Sequence, residues 1–152
     1  MRVIFLDFDG VLNTHAYLVT MKNEDPIGEA AALDPAAVAR VNKIIEATGA
    51  VVVVSSSWRY GRTVGYLEEM LVSRGFKGKV VGTTPEQGAG PQRGDEIRAW
   101  VNTHPEVESF VVLDDDSDME AVRQHFIKTY WNREDGGLQD HHIDRAIKIL
   151  IR

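Results

Sequence analysis

Apolar residues along this chain gather in short, near-continuous runs, and between the runs they recur at helical spacing. Val3–Leu6 and the valines of "AVVVVSSS" (residues 50–57) leave no polar face, the pattern of strands buried on both sides of a parallel sheet. "KVVGTTP" (79–85), "SFVVLDDD" (109–116) and "FIKTYW" (126–131) predict three further strands. "LDPAAVARVNKIIEATG" (33–49) predicts a helix: Asp34 suits the N-cap, Pro35 the first turn and Gly49 the stop, while Val38, Val41, Ile44 and Ile45 share one face. The spacing predicts more helices over Thr63–Arg74, Gly94–Thr103 and 117–124, and a last amphipathic one through Ile143, Ile147 and Leu150. Residues 14–33 read as irregular and 84–92 as a Gly/Pro-rich loop.

Strands alternating with helices imply an α/β fold, a doubly wound, mostly parallel five-stranded sheet flanked by helices. No repeat, linker or low-complexity segment divides the chain, so residues 1–152 read as one domain. Ligands of such sheets bind beyond the carboxyl ends of the strands. Three polar clusters follow strand ends here: Asp7 and Asp9, Ser55–Arg59, and Asp114–Asp118. The topology therefore brings all three to one rim.

Asp7 and Asp9 stand two apart, so both carboxylates leave the strand end on one face while Phe8 takes the other. Like charges that close need a proton or a cation between them. Either aspartate alone would pass for a turn residue before Gly10, and "DDDSD" alone for a helix N-cap with an acidic first turn. Acidic residues from two strand ends on one rim instead suit a hard cation with oxygen ligands, the profile of Mg²⁺. A calcium loop of the EF-hand type does not fit, because position six from Asp114 is Met119 and position twelve is His125. In "SSSWR", a hydroxyl and backbone amides at a strand end suit phosphate oxygens, and Arg59 would add a bidentate fork. Arg93, at a helix start, opposes the helix dipole; it is either a solvated surface cation or a group reaching into the rim.

Composition narrows the function classes. The 152 residues are 43% hydrophobic and 26% charged, ordinary for a globular protein, and no apolar run nears the ~20 residues of a membrane span. A net charge of −6 argues against broad binding to nucleic acid, though not against a small basic pocket for one phosphate. With no cysteine and no signal-peptide pattern, a cytoplasmic location is the expectation. "GAGPQRG" lacks the Lys-Ser/Thr of a P-loop and the glycine spacing of a dinucleotide site. The five histidines show no zinc-protease spacing, and His141–His142 at a helix start reads as solvated.

Taken together, "FLDFDGVLN", "VVVVS" and "VVLDDDSD" resemble the first, second and fourth motifs of the haloacid dehalogenase-like (HAD) phosphatase superfamily. "SSSWR", "RGDEIRAWV" and "GGLQDHHIDRAIKIL" are similar to segments of HAD domains of RNA repair proteins, relatives of the 3′-phosphatase half of polynucleotide kinase-phosphatase. The resemblance implies a Mg²⁺-dependent phosphomonoesterase with Asp7 as nucleophile and Asp9 as general acid and base. It gives Ser55 the phosphoryl oxygens and Arg93 the charge in transfer. Asp114 and Asp115 would complete a Mg²⁺ site with Asp7 and the backbone carbonyl of Asp9. The serine and aspartate runs leave the register open by one, so Ser56 is an alternative to Ser55, and Asp118 a supporting residue. Gly10, Ser56, Trp58 and Arg59 are the candidate substrate contacts.

The gap at 14–33 leaves room for a small cap or flap and nothing larger, so the rim should admit a phosphate on a large molecule. "WRYGR" (58–62) and "YWNR" (130–133) interleave aromatics with arginines, suited to stacking a base, although Trp58 and Trp131 taken singly also fit the role of core anchors. A phosphorylated substrate, a nucleic-acid end among them, is the implied partner, with a kinase or ligase as a companion and no membrane. The alternatives are a phosphatase of small nucleotides or sugar phosphates and a non-catalytic binding module. Oligomeric state is open.

Overall fold

A computed structural model describes residues 1–21, 28–86 and 92–152. Five strands form one sheet: β1 (Arg2–Leu6), β2 (Val51–Val54), β3 (Val80–Thr83), β4 (Ser109–Asp114) and β5 (Phe126–Lys128). Their order is β3-β2-β1-β4-β5, and every pair is parallel. Helices α1 (His15–Thr20), α2 (Pro35–Thr48), α3 (Val64–Ser73), α4 (Arg93–Asn102) and α5 (Asp140–Leu150) complete the regular structure, with 3-10 turns at Gly28–Ala32, Ser57–Arg59 and Glu120–His125.

The central strands read as unbroken apolar runs because helices cover both of their faces. Ile4, Leu6, Val52, Val54, Val111 and Leu113 pack with α2, α3 and α5. Val3, Phe5, Val53, Phe110 and Val112 face Ile97 and Trp100 of α4, with Met119 and Val122. Phe5 meets the edges of Trp100 and Phe110, each at 5.5 Å between centroids. Such pairs add about 0.5–1.5 kcal/mol beyond the area they bury. Helix α2 starts and stops where its sequence signals stand: Asp34 accepts from Ala36 N at 2.9 Å, and Gly49 closes the helix at φ 71°.

Register aligns the strand ends. Leu6 lies opposite both Val54 and Leu113. Backbone bonding then runs one residue past the strands: Ser55 N to Leu6 O at 3.1 Å, Asp7 N to Leu113 O at 3.1 Å, Thr84 N to Val54 O at 3.1 Å, and Thr129 N to Asp114 O at 2.9 Å. Thr84, Ser55, Asp7, Asp114 and Thr129 therefore leave the sheet side by side, in the order of their strands.

Four segments differ from the sequence reading. The first is 14–33, read as irregular, where Thr14 caps a helix by accepting from Tyr17 N at 3.1 Å and a 3-10 turn follows at Gly28–Ala32. The helix expected over 117–124 is a kinked 3-10 stretch at Glu120–His125, with Val122 off helical geometry at φ −132°. Its first residues are occupied otherwise, since Asp118 O accepts from Gly94 N at 3.0 Å and fixes the start of α4. The fifth strand ends at Lys128 because the next residues turn away, Thr129 Oγ1 to Gly10 O at 2.6 Å and Tyr130 O to Gly137 N at 2.9 Å. The His141–His142 pair divides. His141 is exposed, whereas His142 is buried and its Nδ1 accepts from Gln139 N at 2.8 Å, capping α5. Burial, aided by His141 and Arg145, pushes the His142 imidazole down to about 4. Of the 14–33 insertion, α1 and the turn at Gly28–Ala32 are described and 22–27 lie outside the described residues; in the 84–92 loop the same holds for 87–91.

Candidate active site

The chain turns sharply after β1. Gly10 takes φ 82°, and a Cβ there would run into the Asp115 carboxylate. Only glycine meets both conditions without strain. Asn13 braces the turn by accepting from Gly10 N at 3.0 Å. The close approach brings Asp7, Asp114 and Asp115 together, each offering an oxygen within 4.8 Å of the others. Asp7 is 3% exposed and Asp114 fully buried.

Arg93 meets this cluster from α4. Its Nη1 lies 2.8 and 3.1 Å from the two Asp114 oxygens and 3.4 Å from Asp7 Oδ2. A cation at a helix N-terminus is opposed by the dipole, and here buried carboxylates outweigh that cost. Asp118 also serves the helix start, its Oδ2 accepting from Arg93 N at 2.8 Å. Gly94 makes the junction tight, since a Cβ there would press on the Asp118–Met119 backbone at 3.0 Å.

One guanidinium against three carboxylates leaves a negative excess away from water. Burial, and then the charge of Asp114, push Asp7 up to about 9 although Arg93 pulls the other way. Burial likewise lifts Asp114 to about 6, with Arg93 opposing. For Arg93 itself burial works against the charge, but Asp114 and Asp7 more than offset it and hold the guanidinium protonated. An all-oxygen donor set with surplus negative charge is what a hard dication requires, and these residues fit Mg²⁺.

Asp9 stands apart from the cluster. Its Oδ1 accepts from Asn13 Nδ2 at 3.1 Å and its Oδ2 from Trp58 Nε1 at 3.0 Å. The two serines also separate. Ser56 Oγ accepts from Trp58 N at 3.2 Å as the cap of the 3-10 turn, whereas Ser55 Oγ is buried with no partner among the described residues. Asp118 Oδ1 shares that condition.

Arg59 does not form the expected phosphate fork. Its guanidinium is buried beneath the rim, with Nε on Thr84 O at 2.9 Å, Nη1 on Ser55 O and Ser56 O at 3.0 and 2.9 Å, and Nη2 on Pro85 O and Glu96 at 3.4 and 3.2 Å. All five of its N–H groups are taken, two by the Ser55 and Ser56 carbonyls and three by Thr84, Pro85 and Glu96, so it ties the Ser55–Ser56 loop to the end of β3 and to α4. Trp58 is half-buried: its ring packs on Phe8 at 5.5 Å, and its indole N–H faces Asp9 rather than open solvent. Trp131 rests against His15 at 6.4 Å.

Three contributors were not singled out from sequence. Asn13 orients Asp9, Thr129 holds Gly10 O, and Lys128 Nζ donates to Asp115 O at 2.6 Å and Ser117 Oγ at 2.9 Å. The asparagine four positions past Asp9 carried a readable signal, since Asx side chains bond backbone amides at turns. Lys128 and Thr129 carried none.

A model of the HAD domain in Swiss Army Knife RNA repair proteins matches residues 3–143. The chain belongs to that family. No curated protein and no solved structure matches at a significant level. The HAD assignment accords with the parallel five-stranded sheet and with the gathering of Asp7, Asp114 and Asp115 at its rim.

Proposed function

We propose that this HAD domain is a Mg²⁺-dependent phosphomonoesterase that works through a phosphorylated Asp7 and acts on 3′-phosphate ends of nucleic acid. The observation that carries the reading is Asp7 itself, a buried carboxylate 3.4 Å from the Arg93 guanidinium and within 4.8 Å of the Asp114 and Asp115 oxygens.

An Asp7 oxygen attacks phosphorus, the bond to the substrate's ester oxygen breaks, and Asp9 gives that oxygen its proton. Water then attacks the phosphoryl group on Asp7, Asp9 takes the water proton, and inorganic phosphate leaves with the carboxylate restored. Ser55 Oγ, with no other partner among the described residues, donates to a phosphoryl oxygen, and Arg93 meets the charge in transfer. Asp7, Asp114, Asp115 and the backbone carbonyl of Asp9 are the groups to hold Mg²⁺, which supplies charge neutralisation for attack on an anionic ester. The family match supports a nucleic-acid end as the substrate, and a kinase or ligase acting on the same ends is the companion this implies. Its setting is taken as cytoplasmic. Among the described residues no helix is long and apolar enough to cross a membrane.

The test is phosphate release with Mg²⁺ from 3′- and 5′-phosphorylated oligonucleotides, mononucleotides and sugar phosphates. The 3′-phosphorylated oligonucleotide should give the highest kcat/KM, with none in excess chelator or with Asp7→Asn. Equal or better turnover of the small phosphates would replace the nucleic-acid reading with a small-molecule phosphatase. No metal-dependent release from any of them would leave a binding module.

A further inference from the structure

Both oxygens of Asp9 are met by nitrogen donors, and the two donors differ in how they are fixed. Asn13 is buried, and its Oδ1 accepts from Gly10 N at 3.0 Å. Its amide therefore has one orientation available, and Nδ2 must be the end that faces Asp9. The other donor is the Trp58 indole, which has one N–H and no acceptor, so it can pair with a carboxylate only as a donor.

Trp58 is held on several sides. Its backbone N donates to Ser56 Oγ at 3.2 Å and its ring packs on Phe8. Arg62 Nη1 donates to Trp58 O at 3.0 Å, with the guanidinium 5.7 Å from the indole centroid. Arg62 is in turn anchored by Glu29 at 2.7 Å, and Glu29 also accepts from Tyr66 Oη at 2.6 Å. An aromatic side chain serving only as a core anchor needs no carboxylate at its N–H end, where Asp9 stands here. A base-stacking platform would present a free face rather than a fixed edge.

We infer that Trp58 is a positioning residue for the acid-base step: its indole N–H fixes the Asp9 carboxylate so that proton delivery to the leaving oxygen is in line. This rests on the role proposed above for Asp9. With one oxygen tied to Asn13 and the other to Trp58, the carboxylate cannot rotate about its own bond without losing a donor. Each oxygen keeps a free lone pair for the proton in transit. Without the indole donor Asn13 is the one donor left to Asp9 among the described residues, and the proton transfer loses the alignment on which its contribution depends.

The consequence is specific to the leaving group. A poor leaving group needs the proton as the ester bond breaks, and a good one hardly does. Trp58→Phe keeps an aromatic ring against Phe8 and removes the N–H. With phenyl phosphate and p-nitrophenyl phosphate, two substrates of similar shape, kcat/KM reports the step in which the ester bond breaks. Trp58→Phe should lower kcat/KM about tenfold or more for phenyl phosphate and less than about threefold for p-nitrophenyl phosphate. Arg62→Ala, which loosens Trp58 without touching Asp9, should shift the same ratio in the same direction by a smaller factor, and serves if Trp58→Phe folds poorly. Equal losses on both substrates, or none, would overturn the inference while leaving the phosphatase reading intact. A wild-type protein that releases phosphate from neither ester or from any oligonucleotide would overturn both.

Discussion

Asp7→Asn should abolish turnover and yet make the metal-free protein more stable. The unfolded carboxyl titrates near 3.8, and in the folded, metal-free protein burial and Asp114 lift it to about 9. A folded value above the unfolded one means stability that is complete below the unfolded value and is lost as pH rises through the window between the two. At pH 7 the chain is about three units into that window, which at about 1.4 kcal/mol per unit bounds the cost near 4 kcal/mol. An amide in place of the acid escapes this cost. The pull of Arg93 is already contained in the folded value of about 9, and Arg93 keeps its pairing with Asp114. The poorer fit of an amide in a site shaped for a carboxyl returns part of the gain. The net gain should be about 1–3 kcal/mol, or roughly 2–10 °C in Tm for a domain of this size. It should shrink toward zero near pH 4 and grow up to about pH 9. Mg²⁺ should reverse the order, because a cation at 100 times its Kd adds about 2.7 kcal/mol to the wild type and far less to a protein lacking one ligand. Thermal unfolding in chelator and in millimolar Mg²⁺, across pH 5–9, measures all of this. An Asp7→Asn protein less stable than wild type in chelator at neutral pH, or an equal Mg²⁺ response in both, would refute the electrostatic account.

Other residues give equally direct tests. Ser55→Ala should cut phosphate release by about 10–100-fold with little change in stability, because a buried hydroxyl with no partner among the described residues adds little to the fold. Ser56→Ala should instead cost about 0.5–2 kcal/mol in denaturant unfolding as a lost cap. Gly10→Ala should cost at least about 2 kcal/mol in the same assay and weaken Mg²⁺ binding, since both φ 82° and the Asp115 carboxylate oppose a Cβ. His142, held down to about 4, keeps its full contribution above its unfolded value of 6.5 and loses it as pH falls through that window. His142→Gln should therefore flatten the decline in stability between pH 6.5 and 4, a difference of roughly 1–3 kcal/mol measured by urea unfolding.

The sheet and its rim were legible because strand ends, turn residues and acids lie next to one another in the chain. Val3–Leu6 leads directly to Asp7, and Phe110–Leu113 to Asp114, so apolar runs alone put both acids at one edge. The helix start alone leaves Arg93 open between a solvated cation and a rim group; its position before the fourth strand is what the resemblance uses, and its guanidinium does reach Asp7 and Asp114. Arg59 was misread because "SSSWR" looks alike whether its guanidinium grips a phosphate or carbonyls. Thr84 and Glu96, 25 and 37 residues away, decide that question. The indole bond to Asp9 was equally hidden, being fixed by the turn at Gly10 and the capped loop at Ser56 rather than by any spacing. The 3-10 stretch at Glu120–His125 replaced a helix because Asp118 is committed to the start of α4. Local periodicity carries no trace of that commitment.

The outermost strand next to the site is three residues long, yet it is sewn to the acids. Thr129 N holds Asp114 O, and Lys128 Nζ holds Asp115 O. Short edges open first in most sheets. Here opening the edge must disturb the two backbone carbonyls next to the carboxylates proposed to hold Mg²⁺. Binding at those carboxylates and closure of the edge therefore reinforce each other by the same free energy in both directions. Amide exchange at Thr129, whose N–H donates to Asp114 O, should act as a remote gauge of occupancy at Asp114 and Asp115, slowing as the cation binds and quickening when it is withdrawn.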